Sequence, residues 1–133
     1  MSRIVLDASA VLAMIFKEPG GDRVEAALDA ASQGKDTEIG ISSVNWCEVL
    51  TKLQRSPASL TPEELAGILS GVELVPFERS GAEWAAQLNL LAPFISLGDR
   101  ACLALASARK AAAWTTDKTW IRVKAGVPIE VLR

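Results

Sequence analysis

Asp7, Glu48, Asp99 and Asp117 are the side chains of this sequence best placed to do chemistry together. Asp7 ends a short β-branched run, Arg3–Leu6, that reads as a buried strand. Asp117 follows a second expected strand, Ala111–Thr115. Glu48 lies one turn into a helix that follows the strand Glu38–Ile41. Asp99 opens an almost wholly apolar helix that feeds the strand before Asp117. Ligand sites in open parallel sheets lie beyond the carboxyl ends of the strands, so a parallel arrangement puts all four acids on one edge. Carboxylates crowded there repel one another and cost stability unless a proton or a cation joins them. An all-oxygen set suits Mg²⁺ or Mn²⁺. Such ions lower the pKa of water, orient it for in-line attack and neutralise charge on a phosphate.

Each acid also has a structural explanation. Asp7 and Asp117 read as helix N-caps, and Ser96-x-x-Asp99 has the form of a capping box. Glu48 stands four residues before Lys52, the favourable order for a helical ion pair worth about 0.2–0.5 kcal/mol. Paired carboxylates would also serve glycoside hydrolysis. That chemistry uses two acids rather than four, and the aromatic content of 5% is low for a sugar cleft. The chain has no His, which removes imidazole bases, Ser-His-Asp triads and the usual His-ligated zinc sites.

The elements that must position these acids alternate. After the first strand a helix runs to about Phe16 and stops at Pro19-Gly20-Gly21. A second helix begins at Asp22 and ends at Gly34. A third spans Val44 to about Gln54, capped by Ser42 or Ser43. Thr61-Pro62-Glu63-Glu64 starts a fourth, which ends near Ser70-Gly71. Val72–Val75 reads as a weak strand, and Ser80 to about Leu91 as another helix. The apolar helix then runs to Lys110, Asp117–Val123 forms a short helix or turn, and Pro128–Leu132 a last strand. The alternation implies an α/β layer fold around a mainly parallel sheet.

At 133 residues, half of them apolar, the chain fits a single domain over 1–133 with a sizeable core. The net charge of −2 gives no bulk attraction for nucleic acid. The average hides an asymmetry: residues 1–99 hold seven Lys/Arg against fourteen Asp/Glu, whereas residues 100–133 hold seven against two. That last quarter reads either as a surface for a polyanion or as solvated helix faces. Cys47 and Cys102 fall in apolar helical patterns and read as small core residues in a reducing compartment, with free thiols rather than a disulfide. No run approaches the roughly 20 apolar residues of a membrane span, and Asp7 interrupts the one stretch resembling a signal peptide. The expected location is cytoplasmic.

Four passages resemble the PIN-domain ribonucleases, in particular VapC toxins of bacterial type II toxin–antitoxin systems. They are Ile4-Val5-Leu6-Asp7-Ala8-Ser9-Ala10, Ser42-Ser43-Val44-Asn45-Trp46-Cys47-Glu48-Val49-Leu50, Leu97-Gly98-Asp99-Arg100-Ala101-Cys102-Leu103-Ala104-Leu105-Ala106 and Trp114-Thr115-Thr116-Asp117-Lys118-Thr119-Trp120. Their order and spacing fit, and residues 55–95 carry no distinctive signature.

The resemblance implies a three-layer α/β/α fold and an Mg²⁺- or Mn²⁺-dependent endoribonuclease. It makes Asp7 and Asp99 direct metal ligands. Glu48 and Asp117 bind metal, directly or through water, or position the nucleophile. Ser9 and Thr116 orient the carboxylates or simply cap, and Arg100 pairs with a site acid or meets the phosphate. The resemblance also implies a homodimer, a VapB-like antitoxin whose C-terminal segment blocks the site, and structured RNA such as transfer RNA as the kind of target. Trp46 and Trp114 read as core, whereas Trp120, flanked by Lys118 and Arg122, is placed to pack over the site or touch RNA. Two other classes stay open on the residues alone. One is a protein-binding module that keeps the fold without catalysis. The other is a phosphohydrolase of small esters, although Asp7-Ala8-Ser9 lacks the Asp-x-Asp of one common class.

Overall fold

β1 (Ser2–Leu6) is the central strand, and its alternation divides the molecule. Ile4 and Leu6 enter one apolar cluster and Val5 the other, so both faces of the strand are buried. A computed structural model describes residues 1–133. All four strand pairings are parallel, in the order β3-β2-β1-β4-β5, with β2 Thr37–Ser42, β3 Val72–Val75, β4 Ala112–Thr115 and β5 Ile129–Val131.

One face is covered by α1 (Ala8–Ile15), α2 (Gly21–Ser32), α3 (Ser43–Gln54) and α4 (Pro62–Ile68), which supply Val11, Val24, Val49, Leu53 and Leu65. The other is covered by α5 (Arg79–Leu91), α6 (Leu97–Arg109) and a single 3₁₀ turn, Lys118–Arg122. The result is the expected three-layer α/β/α sandwich. Element ends move by one to three residues: α2 starts at Gly21, α4 stops at Ile68, and the last strand is shorter than Pro128–Leu132. No helix is long and apolar enough to cross a membrane.

The order of the strands locates the site. The chain steps outward from β1 to β2 to β3, then returns to lay β4 against the other side of β1. The crossovers on the two sides leave from opposite faces, which opens a crevice beyond the carboxyl ends of β1 and β4. Asp7 directly follows β1, and Asp117 lies two residues past β4.

One glycine sets the approach of α2 to α1. A Cβ on Gly21 would collide with the backbone carbonyl of Ala13, and backbone cannot swing aside. Gly21→Ala gains at most about 1 kcal/mol of helix propensity. We expect it to lose on the order of 1–3 kcal/mol net through overpacking. Urea denaturation of the variant tests this, and an unchanged midpoint would mean that the helices separate freely.

Candidate active site

Asp7 is the deepest of the four acids, at 4% exposure. Its backbone caps α1 but its side chain makes no capping bond, so the carboxylate is released into the crevice. There Oδ2 accepts hydrogen bonds from Ser9 Oγ at 2.7 Å and Thr115 Oγ1 at 3.0 Å. Burial pushes the Asp7 pKa up to about 7; Asp99 and Glu48 add to the rise, and the two hydroxyls oppose it.

Thr115, rather than Thr116, thus holds Asp7. Side chains alternate along β4, and the fully buried Thr115 is the one turned inward. Thr116 contributes its backbone N–H to Ser9 Oγ at 3.0 Å. The Asp117 N–H donates to Thr115 Oγ1 at 3.1 Å. Ser9 and Thr115 therefore lash the end of β1 to the end of β4.

Asp99 serves as the cap expected of it. It closes the capping box, with its own N–H donating to Ser96 Oγ and its Oδ2 accepting from the Ser96 N–H, each at 3.1 Å. Burial raises its pKa; the capping bonds oppose this, and Asp117 adds to the rise. Trp120 lies beneath it, fully buried, and its indole N–H lies near enough to Asp99 to favour the charged form without closing a hydrogen bond. Trp120 is therefore packing under the site and offers no face to RNA. Asp117 caps the 3₁₀ turn, its Oδ1 accepting from Thr119 N–H at 2.9 Å and Thr119 Oγ1 at 2.7 Å.

Glu48 does not pair with Lys52. Its Oε1 accepts instead from Asn45 Nδ2 at 2.8 Å, and the same nitrogen donates to the Gly98 carbonyl at 3.0 Å. Asn45 is fully buried and lies three residues before Glu48, hence on the same helix face. A Cβ on Gly98 would strike the Glu48 carboxylate. Asn45 and Gly98 thus fix Glu48 against the first turn of α6. Neither was singled out from the sequence, although the i,i+3 spacing of an amide and a candidate acid was a usable signal.

Arg100 departs from expectation. It pairs with no site acid; Nη1 donates to the Ala85 carbonyl of α5 at 3.1 Å, and Nε is buried without a partner. Its role is to join α6 to α5. The thiols are free; Cys102 is buried in the core as expected, whereas Cys47 is exposed, on the side of α3 turned away from the sheet.

One regularity bears on a cation. Each carboxylate is held through one oxygen, and no hydrogen bond ties the other: Asp7 Oδ1, Glu48 Oε2, Asp99 Oδ1 and Asp117 Oδ2. The donor set is all oxygen and carries surplus negative charge, which fits a hard divalent ion. No three acids converge closely enough to hold an ion alone. Mg²⁺, which dehydrates reluctantly and keeps several waters, tolerates such a set.

The family model described as PIN domain matches residues 4–126. The chain belongs to the PIN domain family. The sequence matches no curated protein. Among solved structures, this PIN domain superposes on VapBC2 from Rickettsia felis, bound to a DNA fragment from its promoter, with a TM-score of 0.78 at 21% identity, covering 96% of this chain and 97% of that one. A toxin–antitoxin complex from Klebsiella pneumoniae gives 0.75 at 14% identity over 98% of each chain. FitAcB from Neisseria gonorrhoeae gives 0.67 at 19% identity over 95% of each.

Proposed function

We propose that this PIN domain is the toxin of a type II toxin–antitoxin pair, a VapC-like endoribonuclease dependent on Mg²⁺ or Mn²⁺. The observation that carries the reading is the set of four carboxylates at the β1–β4 crevice, each fixed by one oxygen with the other free. Asp7 and Asp99, with Glu48 and Asp117 behind them, would hold the cation. When bound, it supplies positive charge against the phosphate and makes water more acidic.

The residues set the rest. Ser9 and Thr115 hold Asp7 and so fix where the scissile phosphate lies. Asn45 keeps one Glu48 oxygen occupied, which leaves the other to accept a proton from the attacking water. The water oxygen bonds to phosphorus as the bond to the ribose 3′ oxygen breaks, and that oxygen takes a proton from solvent, leaving a 5′-phosphate and a 3′-hydroxyl. The absence of His fits, because cleavage without a metal typically relies on imidazole pairs.

The toxin–antitoxin complexes among the structural neighbours support a VapB-like partner, and we propose that its C-terminal segment covers the site. We further propose a homodimer in the cytoplasm acting on structured RNA, transfer RNA being the first candidate.

The test is end-labelled transfer RNA incubated with the purified chain in Mn²⁺, Mg²⁺ or EDTA, with mononucleotide esters in parallel. Metal-dependent internal cuts bearing 5′-phosphates are the expected result. Equal cutting in EDTA would overturn the metal. Turnover of the esters alone would indicate a phosphohydrolase, and partner binding without any cutting a silent binding module.

A further inference from the structure

The basic surplus of the last quarter is not spread evenly. Arg109 forks onto Glu73 with two bonds of 2.9 Å at the far end of α6, and Arg133 lies 3.6 Å from Glu18. Arg100 is committed to α5. Lys118, Arg122 and Lys124, all exposed, form no ion pair. Lys118, Arg122 and Lys124 stand within the nine residues that follow β4, at the edge of the crevice.

These cations sit beside apolar surface. The Arg122 guanidinium lies over the Phe94 ring, 4.4 Å from its centroid, and Phe94 is 42% exposed. Ile121 and Leu97 stand open beside them at 73% and 53%. The patch is rigid beneath: Trp120 and Val123 are buried, Asp117 caps the 3₁₀ turn, and Ser96 and Asp99 cap α6. Asp117 thus caps the turn that carries Lys118, Ile121 and Arg122, and Asp99 closes the capping box of α6, which begins three residues after Phe94. A planar cation on an exposed ring, among unpaired lysines, matches what an unstacked base and its phosphates require.

We propose that Phe94 and Arg122, with Lys118 and Ile121, form the platform that docks a single-stranded RNA segment beside the acidic crevice. A base stacks on the Arg122–Phe94 pair, and Lys118 meets a phosphate. The proposal rests on the ribonuclease reading for its substrate, but binding is measurable without cleavage.

The probe is a fluorescein-labelled single-stranded oligoribonucleotide of mixed sequence. Its affinity for the full-length chain in the cleavage-blocked Asp7→Asn background is read by fluorescence anisotropy across a salt series. Phe94→Ala and Arg122→Ala should each weaken binding by about 5-fold or more, the loss typical of one stacked base. Arg122→Lys keeps the charge but not the plane, so it should restore the salt dependence and not the affinity. Lys118→Gln should weaken binding and reduce the slope of log affinity against log salt by about 0.7, as for one phosphate on a single strand.

These side chains are exposed, so the variants should fold, and thermal melts check it. Unchanged affinity in Phe94→Ala, or full rescue by Arg122→Lys, would overturn the platform. So would a change confined to sedimentation behaviour in Ile121→Ser, which would make the patch a contact between protein chains. If the wild type cuts RNA while these variants bind normally, the platform falls and the activity stands. If they weaken binding while the wild type cuts nothing, the platform stands and the ribonuclease reading falls.

Discussion

Asp7→Asn is expected to abolish RNA cleavage and to make the metal-free protein more stable. The two effects share one cause. The Asp7 carboxylate sits at 4% exposure with its pKa at about 7, against 3.8 for a free side chain. The folded state therefore holds a proton that the unfolded chain gives up. Stability from that proton is fully present below about pH 4 and is lost as pH rises through about 7. Asparagine resembles the protonated acid in shape, keeps an acceptor for Ser9 and Thr115, and never ionises.

Near pH 7.5 without metal, the variant should gain on the order of 1–2 kcal/mol, or several degrees in Tm. Cleavage should fall on the order of 10²–10³-fold or more, the scale of removing one preorganised charge from a reaction centre. Thermal melts from pH 4 to 8, with Mn²⁺ or EDTA, provide the check. The wild type should lose stability with rising pH in EDTA and recover it in Mn²⁺, and the variant, left with the smaller contribution of Asp99, should show less of both. A variant that kept the wild-type pH slope would show that the crevice does not strain Asp7.

Gly98→Ala is the complementary case, in which activity falls and stability holds. The added methyl meets the end of the Glu48 side chain, which is flexible, rather than backbone. The clash is relieved by swinging that carboxylate away from Asn45 and out of the crevice. The remaining cost is offset by helix propensity, which favours Ala over Gly by up to about 1 kcal/mol. Melting should stay within about 1 kcal/mol of wild type, while cleavage falls about 10–100-fold, the usual cost of losing an orienting contact at a metal site. Glu48→Gln should show a loss of the same order. Full single-turnover activity in Gly98→Ala would mean that the position of Glu48 does not matter.

The contrast between Gly21 and Gly98 shows how much of this molecule is legible in its sequence. Strand positions, helix caps and the shared edge of the acids follow from local patterns: β-branched runs, Pro62 after Thr61, an acid three residues after Ser96. What a glycine faces does not. Gly98 is small because of a side chain fifty residues earlier, and Gly21 because of the backbone of α1. The hydroxyl that grips Asp7 was misplaced by one residue for a related reason. Thr115 and Thr116 are chemically alike, and only the register of β4 against β1 decides which turns inward. Arg100 was misassigned because its partner is a backbone carbonyl of α5, which leaves no mark in the sequence. Asn45 was overlooked because an amide in a helix reads as surface until the neighbouring helix is seen to bury it.

The return of β4 to the side of β1 also sets when the site can come into being. Asp7 leaves the ribosome well before the hydroxyl that holds it, which lies 108 positions later. The two strand ends cannot be lashed together until β4 has emerged and paired. Contacts of such long sequence separation form slowly because a large loop must close first. A growing chain consequently has no assembled crevice until β4 has been made. The crevice therefore assembles late, with the second of the two pairings made by the central strand.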